Sequence, residues 1–150
     1  IAAAEELRTR FNVAVDLWSA TSYKTLREDA LAVERHNRLH PSHPPKVARV
    51  TALLSGCSDP VIAVSDFMKI VPEQIARFIP GRSFTALGTD GMGRSDTRDA
   101  LRSHFEIDMP NIVVAVLAAL AQSGAVSLDI VQQAIAKYDI KPSRQDPYIV

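Results

Sequence analysis

Gly88-Thr-Asp-Gly-Met-Gly-Arg-Ser-Asp96 sets three of the chain's six glycines, two acids and an arginine directly behind the apolar run Ser83–Leu87. Glycine lacks the Cβ that penalises left-handed backbone, so three within six positions specify a tight, shaped loop. Asp96 or Ser95 then stands where it can cap a helix through Leu101, which gives a strand, a glycine loop and a helix N-terminus in succession. Such a unit presents backbone N–H groups to an anion or to a neighbouring subunit. Two phosphate-binding patterns are excluded. The dinucleotide fingerprint, aligned on Gly91 and Gly93, puts Asp96 where its third glycine belongs, and a Walker-type loop needs a Gly-Lys pair that the chain lacks. A turn shaped only for packing is the plain alternative.

Outward from the loop, strand and helix patterns alternate. Ala2–Phe11 carries helix formers with Leu7 and Phe11 four apart, which lays one face on a core. Val13-Ala-Val-Asp-Leu-Trp18 is compact, β-rich and apolar enough to be covered on both faces, and is expected as a parallel strand. Thr21 or Ser22 caps a long helix bearing Leu26, Ala30, Leu31 and Val33, and three prolines in His40–Pro45 stop it. Val47–Leu54 is the next expected helix, and Pro60–Val64 the next buried strand. Ser65 or Asp66 is expected to cap a helix that Pro72 kinks or bounds. Ser83–Leu87 is the third strand. Asp108 reads as an N-cap with Pro110 in the first turn, ahead of the apolar face Ile112, Val113, Val116, Leu117 and Leu120. Ser127 caps a last helix, and Lys141–Val150 reads as an extended tail.

This alternation predicts one α/β domain over residues 1–150, a three-layer α/β/α arrangement around a mostly parallel sheet. Its inner strands are Val13–Trp18, Val61–Val64 and Phe84–Leu87. Partners of such sheets meet the carboxyl ends of the strands, here Ser19–Ser22, Ser65–Asp66 and Gly88–Ser95. All three ends are small and polar, and N-capping alone accounts for that.

With 47% hydrophobic residues, a chain of this length can bury a core. Lys and Arg number 17, as do Asp and Glu, so no basic footprint marks a nucleic acid or an anionic membrane as partner. Ile112–Ala121 is too short to span a bilayer, and no signal-peptide pattern opens the chain. The single cysteine, Cys57, fits a reducing compartment and reads as an inert thiol. His36, His40 and His43 with Cys57 make a poor metal set, because two of the histidines lie in a proline-rich turn. His104 reads as a surface histidine, since no oriented acid or nucleophile is visible beside it. The opening Ile-Ala-Ala-Ala, without an initiator methionine, suggests part of a longer polypeptide.

The loop through Arg98, with Leu101, His104-Phe-Glu-Ile-Asp108 and Ile112-Val-Val, resembles the last domain of the homodimeric pyruvate dehydrogenase decarboxylating components. Asp16–Tyr23, Glu34–Pro41 and Val64–Lys69 resemble it too, and the likeness runs through essentially all 150 residues. Related transketolase domains have a similar loop, with Phe where Met92 stands; His36 stands where Trp is expected. The resemblance implies a transketolase C-terminal-like fold. It also implies a cytoplasmic parent that uses thiamine diphosphate and Mg²⁺ to decarboxylate pyruvate oxidatively and to pass acetyl to a lipoyl-bearing acetyltransferase component. Cofactor and catalytic residues belong to two preceding domains. The family's metal motif, Gly-Asp-Gly with a later Asn, is interrupted here by Thr89, and Asn111 stands too close, so no catalytic, cofactor or metal residue carries over. This domain's implied role is homodimer formation and support of the active-site interface, with Gly88, Asp90, Gly91, Gly93, Arg94 and Ser95 as candidate interface residues. A stand-alone interaction or regulatory module of the same fold, or another transketolase-like enzyme, is the alternative.

Overall fold

A computed structural model describes residues 1–149, and Val150, the last residue of the expected tail, lies outside the described residues. Its helices are α1 (Ala2–Phe11), α2 (Tyr23–Leu39), α3 (Arg49–Leu54), α4 (Ile70–Glu73), α5 (Arg98–His104), α6 (Met109–Gln122) and α7 (Leu128–Lys137). Strands β1 (Val61–Val64) and β2 (Phe84–Leu87) pair in parallel, in a register that sets Val61 opposite Phe84 and Val64 opposite Leu87. The connection between them carries α4 and a 3₁₀ turn at Ala76–Phe78.

Two apolar clusters flank this small sheet. Ala3 and Leu7 of α1, Val113 and Leu117 of α6, and Val131 and Ala134 of α7 form the first, and α6 contacts both strands. Ala30, Ala48, Val50, Ile75, Phe78 and Ile79 form the second, with Val61 and Phe84 packed against it. The sheet therefore lies between two helical layers, the mixed α/β arrangement that the alternating pattern predicts. Burying residues such as Leu7 and Leu117, which are almost wholly covered, contributes about 1.5–3 kcal/mol each. A polar tie joins α1 to α7: Lys137 Nζ lies 2.6 Å from Glu6 Oε1, and Tyr138 Oη donates to the same oxygen at 2.7 Å. These two hydrogen bonds, Lys137 first, hold the Glu6 carboxyl below its ordinary range.

An N-cap side chain sets the start of three of the seven α-helices, α2, α5 and α6. Ser22 Oγ accepts from Thr25 N at the head of α2, and Asp108 Oδ1 accepts from Asn111 N at the head of α6, with Pro110 in its first turn. Ser127 holds the N-cap position of α7 without a side-chain cap bond. Other starts differ from expectation. The cap of α5 is Thr97, whose Oγ1 accepts from Ala100 N, while Asp96 turns its carboxylate onto Thr97 N. Neither Ser65 nor Asp66 starts α4; Ser65 Oγ instead closes a local turn on Phe67 N. The third helix begins at Arg49, where Asp29 Oδ2 accepts the Arg49 N–H, rather than at Val47.

The larger correction concerns Val13–Trp18. No strand forms there, and the sheet among the described residues has two strands. Asn12 turns left-handed at φ 53°, Val13 N bonds Leu7 O, and residues 14–21 make no further hydrogen bond among the described residues. A β-rich run becomes a strand only where a neighbouring edge completes its ladder. The expected extended tail is corrected too: it forms turns at Pro142–Ser143 and Pro147–Ile149 and folds back on the body. The stretch Arg98–Gln122 is long and apolar enough by composition to cross a membrane. Its backbone, however, breaks at Phe105–Asp108, where Glu106 takes φ 58°, leaving α6 about 21 Å long against the ~30 Å of a bilayer core.

Candidate functional site

The carboxyl ends of β1 and β2 are laced together. Ser65 N bonds Leu87 O at 3.0 Å, Thr89 N bonds Phe67 O at 3.0 Å, and Thr89 Oγ1 donates to Asp66 O at 3.0 Å. Gly88 sits so close to the facing loop that a Cβ would stand 2.5 Å from Phe67 O and 2.8 Å from Lys69 N. The facing backbone of residues 67–69 leaves no room for any side chain. Asp90 then reaches across: its Oδ2 accepts the Lys69 N–H at 2.9 Å and so caps α4 from 21 residues away. That role carries no local sequence signal, because α4, the 3₁₀ turn and β2 lie between the capped residue and its cap.

Gly91 takes φ +102°, where only glycine is at ease, and a Cβ there would overlap the carbonyl oxygen of Pro147. The C-terminal turn is thus seated on the glycine loop. Tyr148 N is held by Asp146 Oδ1 at 2.9 Å, and Arg144 Nη1 donates to Ser103 O at 3.1 Å. A small cavity of about 60 Å³ remains at this junction, among Lys69, Asp90, Phe105 and Tyr148. Gly93 has open space around it and no positive φ. The six candidate loop residues therefore divide. Gly88, Asp90 and Gly91 are bound into the fold, whereas Gly93, Arg94 and Ser95 are exposed and line a shallow groove with Asp96, Ala100, Leu101 and His104.

The third expected rim element does not join by hydrogen bonds, since Ser19–Thr21 make none among the described residues. Around the other two ends the surface is apolar and uncovered: Phe67 is 69% exposed, Met68 53% and Met92 70%. His104 departs from the surface reading. Its Nε2 is buried without a partner, its ring meets Phe105 edge-on at 4.8 Å, and burial, then Arg94 and Arg144, lowers its pKa from 6.5.

The residues nearest the metal motif have other work. Asp90 caps α4, and Asn111 donates its side-chain N–H to Asp108 at 2.7 Å within the α6 cap. Among the described residues no three His, Cys, Asp or Glu side chains are placed to hold a metal. His36 and His40 stack at 4.3 Å with His43 edge-on beside them, and Cys57 is exposed. A diphosphate-bound Mg²⁺ needs converging oxygen ligands, and these residues do not fit one.

The chain belongs to the transketolase-like TK C-terminal domain family, whose model matches residues 1–108. Among curated relatives, the pyruvate dehydrogenase E1 component of Pseudomonas aeruginosa is 48% identical over 145 residues, 97% of this chain and 16% of that protein. That of Mycolicibacterium smegmatis is 44% identical over 138 residues, 92% of this chain and 15% of that protein. That of Cupriavidus necator is 43% identical over 150 residues, 100% of this chain and 17% of that protein. The chain spans about one sixth of these relatives, and they align through α6 and α7, which the family model leaves out.

Proposed function

We propose that this chain is the C-terminal domain of a cytoplasmic, thiamine diphosphate-dependent pyruvate dehydrogenase, and that it supports the homodimer without carrying chemistry itself. The observation behind this reading is the similarity to pyruvate dehydrogenase E1 components along 92–100% of the chain. The cofactor and its Mg²⁺ belong to preceding domains of the parent, and the acetyl group passes to a lipoyl-bearing acetyltransferase. Within this chain the contribution is mechanical. Gly88, Asp90 and Gly91 hold the rim rigid, so that Phe67, Met68, Met92, Arg94 and Ser95 present a fixed surface to the preceding domains or the second subunit. Exposed apolar groups gathered on one edge of a folded chain are what an interface leaves behind when its partner is absent.

Two measurements test the two halves. A pyruvate-dependent electron-acceptor assay on the full-length parent reads the activity, and light scattering on its Phe67→Glu and Met92→Glu variants reads the interface. The parent is expected to be active and dimeric, with both variants shifted toward monomer. A folded, cofactor-loaded parent that ignores pyruvate defeats the assignment, and undisturbed dimers in both variants defeat the interface. Calorimetric titration of the 150-residue chain with thiamine diphosphate and Mg²⁺ should show no saturable heat.

A further inference from the structure

Two backbone edges lack partners among the described residues. Residues 14–21 form no backbone hydrogen bond, and Val15, Leu17 and Trp18 stand exposed there. β1 carries the second edge. Val61 N bonds Ser83 O and Ser65 N bonds Leu87 O, so the alternate residues Ile62 and Val64 turn their N–H and C=O away from β2, where no bond meets them.

Handedness sets these edges on one side of the sheet. β1 reaches its parallel neighbour β2 by way of Ile75, Phe78 and Ile79 in the second apolar cluster. Val13–Trp18 reaches β1 through α2 and α3, whose Ala30 and Val50 lie in that same cluster. Right-handed connections over one face step across a sheet in one direction, so the order is Val13–Trp18, β1, β2, and the bare edge of β1 is the one toward the run. α1 belongs to the other cluster, with α6 and α7. A right-handed crossover on that face steps the opposite way, so a strand that α1 joins to the run falls between the run and β1. α1 with Asn12 has the length of such a crossover, about a dozen residues. The run and β1 then stand two strand spacings apart, about 9–10 Å, which is too far for either to complete the other's ladder.

We propose that the segment of the parent preceding Ile1 enters the sheet as a parallel strand between Val13–Trp18 and β1. The proposal rests on the reading of this chain as the end of a longer pyruvate dehydrogenase. A strand from the second subunit would close an edge from outside, whereas α1 ties the slot between the two edges to the chain's own preceding segment. The sheet that carries the glycine loop is thereby joined to the preceding domains by a hydrogen-bonded ladder as well as by the chain.

An electron cryo-microscopy map of the full-length parent tests the strand order, and amide hydrogen exchange on the same sample tests the ladder. The map is expected to show the order run, preceding segment, β1, β2, all parallel. Alternate amides of Ala14–Trp18, together with those of Ile62 and Val64, should exchange at least a hundredfold more slowly than those of the exposed loop Gly56–Ser58, which forms no backbone bond among the described residues. A run paired directly with β1, a strand of the second subunit in the slot, an empty slot, or exchange as fast as in that loop overturns the proposal. Pyruvate turnover is read separately. An inactive parent with the strand in place defeats the enzyme assignment and upholds the sheet order, and an active parent with a bare β1 edge defeats this proposal alone.

Discussion

The turn at Gly88–Gly91 and the run Val13–Trp18 are both short stretches outside the helices and strands, yet they are held very differently. The turn is gripped from two sides, by the 66–69 backbone and by the returning C-terminal turn, through Thr89, Asp90 and the missing side chains of Gly88 and Gly91. The run is fixed only at its base, by the left-handed Asn12, the bond from Val13 N to Leu7 O and the packing of Val13 on the first apolar cluster, and Trp18 is 58% exposed. A loop whose partners all lie within the chain takes its shape from the chain. A parallel strand needs a ladder on a sheet edge and cover on both faces, so its partners must be assembled first. Order at the rim follows where the partners are, not how strongly a segment favours its own conformation.

Substitution at Gly91 tests the gripped side most severely. Gly91→Val combines a β-branched residue at φ +102° with a clash against the Pro147 backbone, and should cost about 3 kcal/mol in urea unfolding. Gly93→Ala, two residues on and in open space, should stay within about 0.5 kcal/mol. Equal losses at the two glycines would mean that the loop is not held as described. Next in size is Asp90→Ala, which removes the acceptor from Lys69 N and should cost about 1 kcal/mol, with Asp90→Asn recovering part of it. An unchanged midpoint in Asp90→Ala would show the cap to be dispensable.

The same contrast explains what could be read from sequence. Caps that act within four residues, Ser22 and Asp108, and the two strands carrying contiguous apolar runs, Val61–Val64 and Phe84–Leu87, are written locally. So is the need for glycine at Gly91, though not the reason, which is a tail 56 residues further on. Asp90 capping α4, Arg144 reaching His104 and Pro147 seating on the loop join residues 21 to 56 positions apart, and no local period reports them. At Asp96 the choice between neighbouring caps, Ser95, Asp96 or Thr97, turned on one residue of backbone geometry. Val13–Trp18 shows the opposite failure, since its composition favours a strand while the edge it requires is not supplied among the described residues.

The ungripped side gives a smaller effect. Trp18→Ser in the 150-residue chain should change stability by no more than about 0.5 kcal/mol, because an exposed side chain loses little on removal. In the full-length parent the same substitution should cost more if the preceding domains cover the run. A loss above about 2 kcal/mol in the isolated chain would mean that Trp18 is packed in solution, and the contrast between the two regions would collapse.

The smallest effect lies at the outer end of the loop, in the pH dependence that His104 confers. Burial is the largest cause of its lowered pKa, followed by Arg94 and Arg144, with Glu106 acting the other way. The unfolded chain takes up this proton near 6.5, and the folded chain only at lower pH. Between those two values the unfolded state binds more protons, so stability falls as pH drops below about 6.5 and levels off once the folded ring is also charged. His36, lowered by burial, Lys46 and His40, contributes in the same direction, so the two must be separated by variants. His104→Gln should flatten part of the decline in urea midpoint between pH 7.5 and 5, and His36→Gln another part. Arg144→Ala should bring the His104 titration, followed by its ring Hε1 resonance, back toward 6.5, and Glu106→Gln should move it further down. A His104 midpoint at or above 6.5 in the unliganded chain would show that the ring is solvated and that neither arginine bears on it, and the outer loop would then be as loosely held as Val13–Trp18.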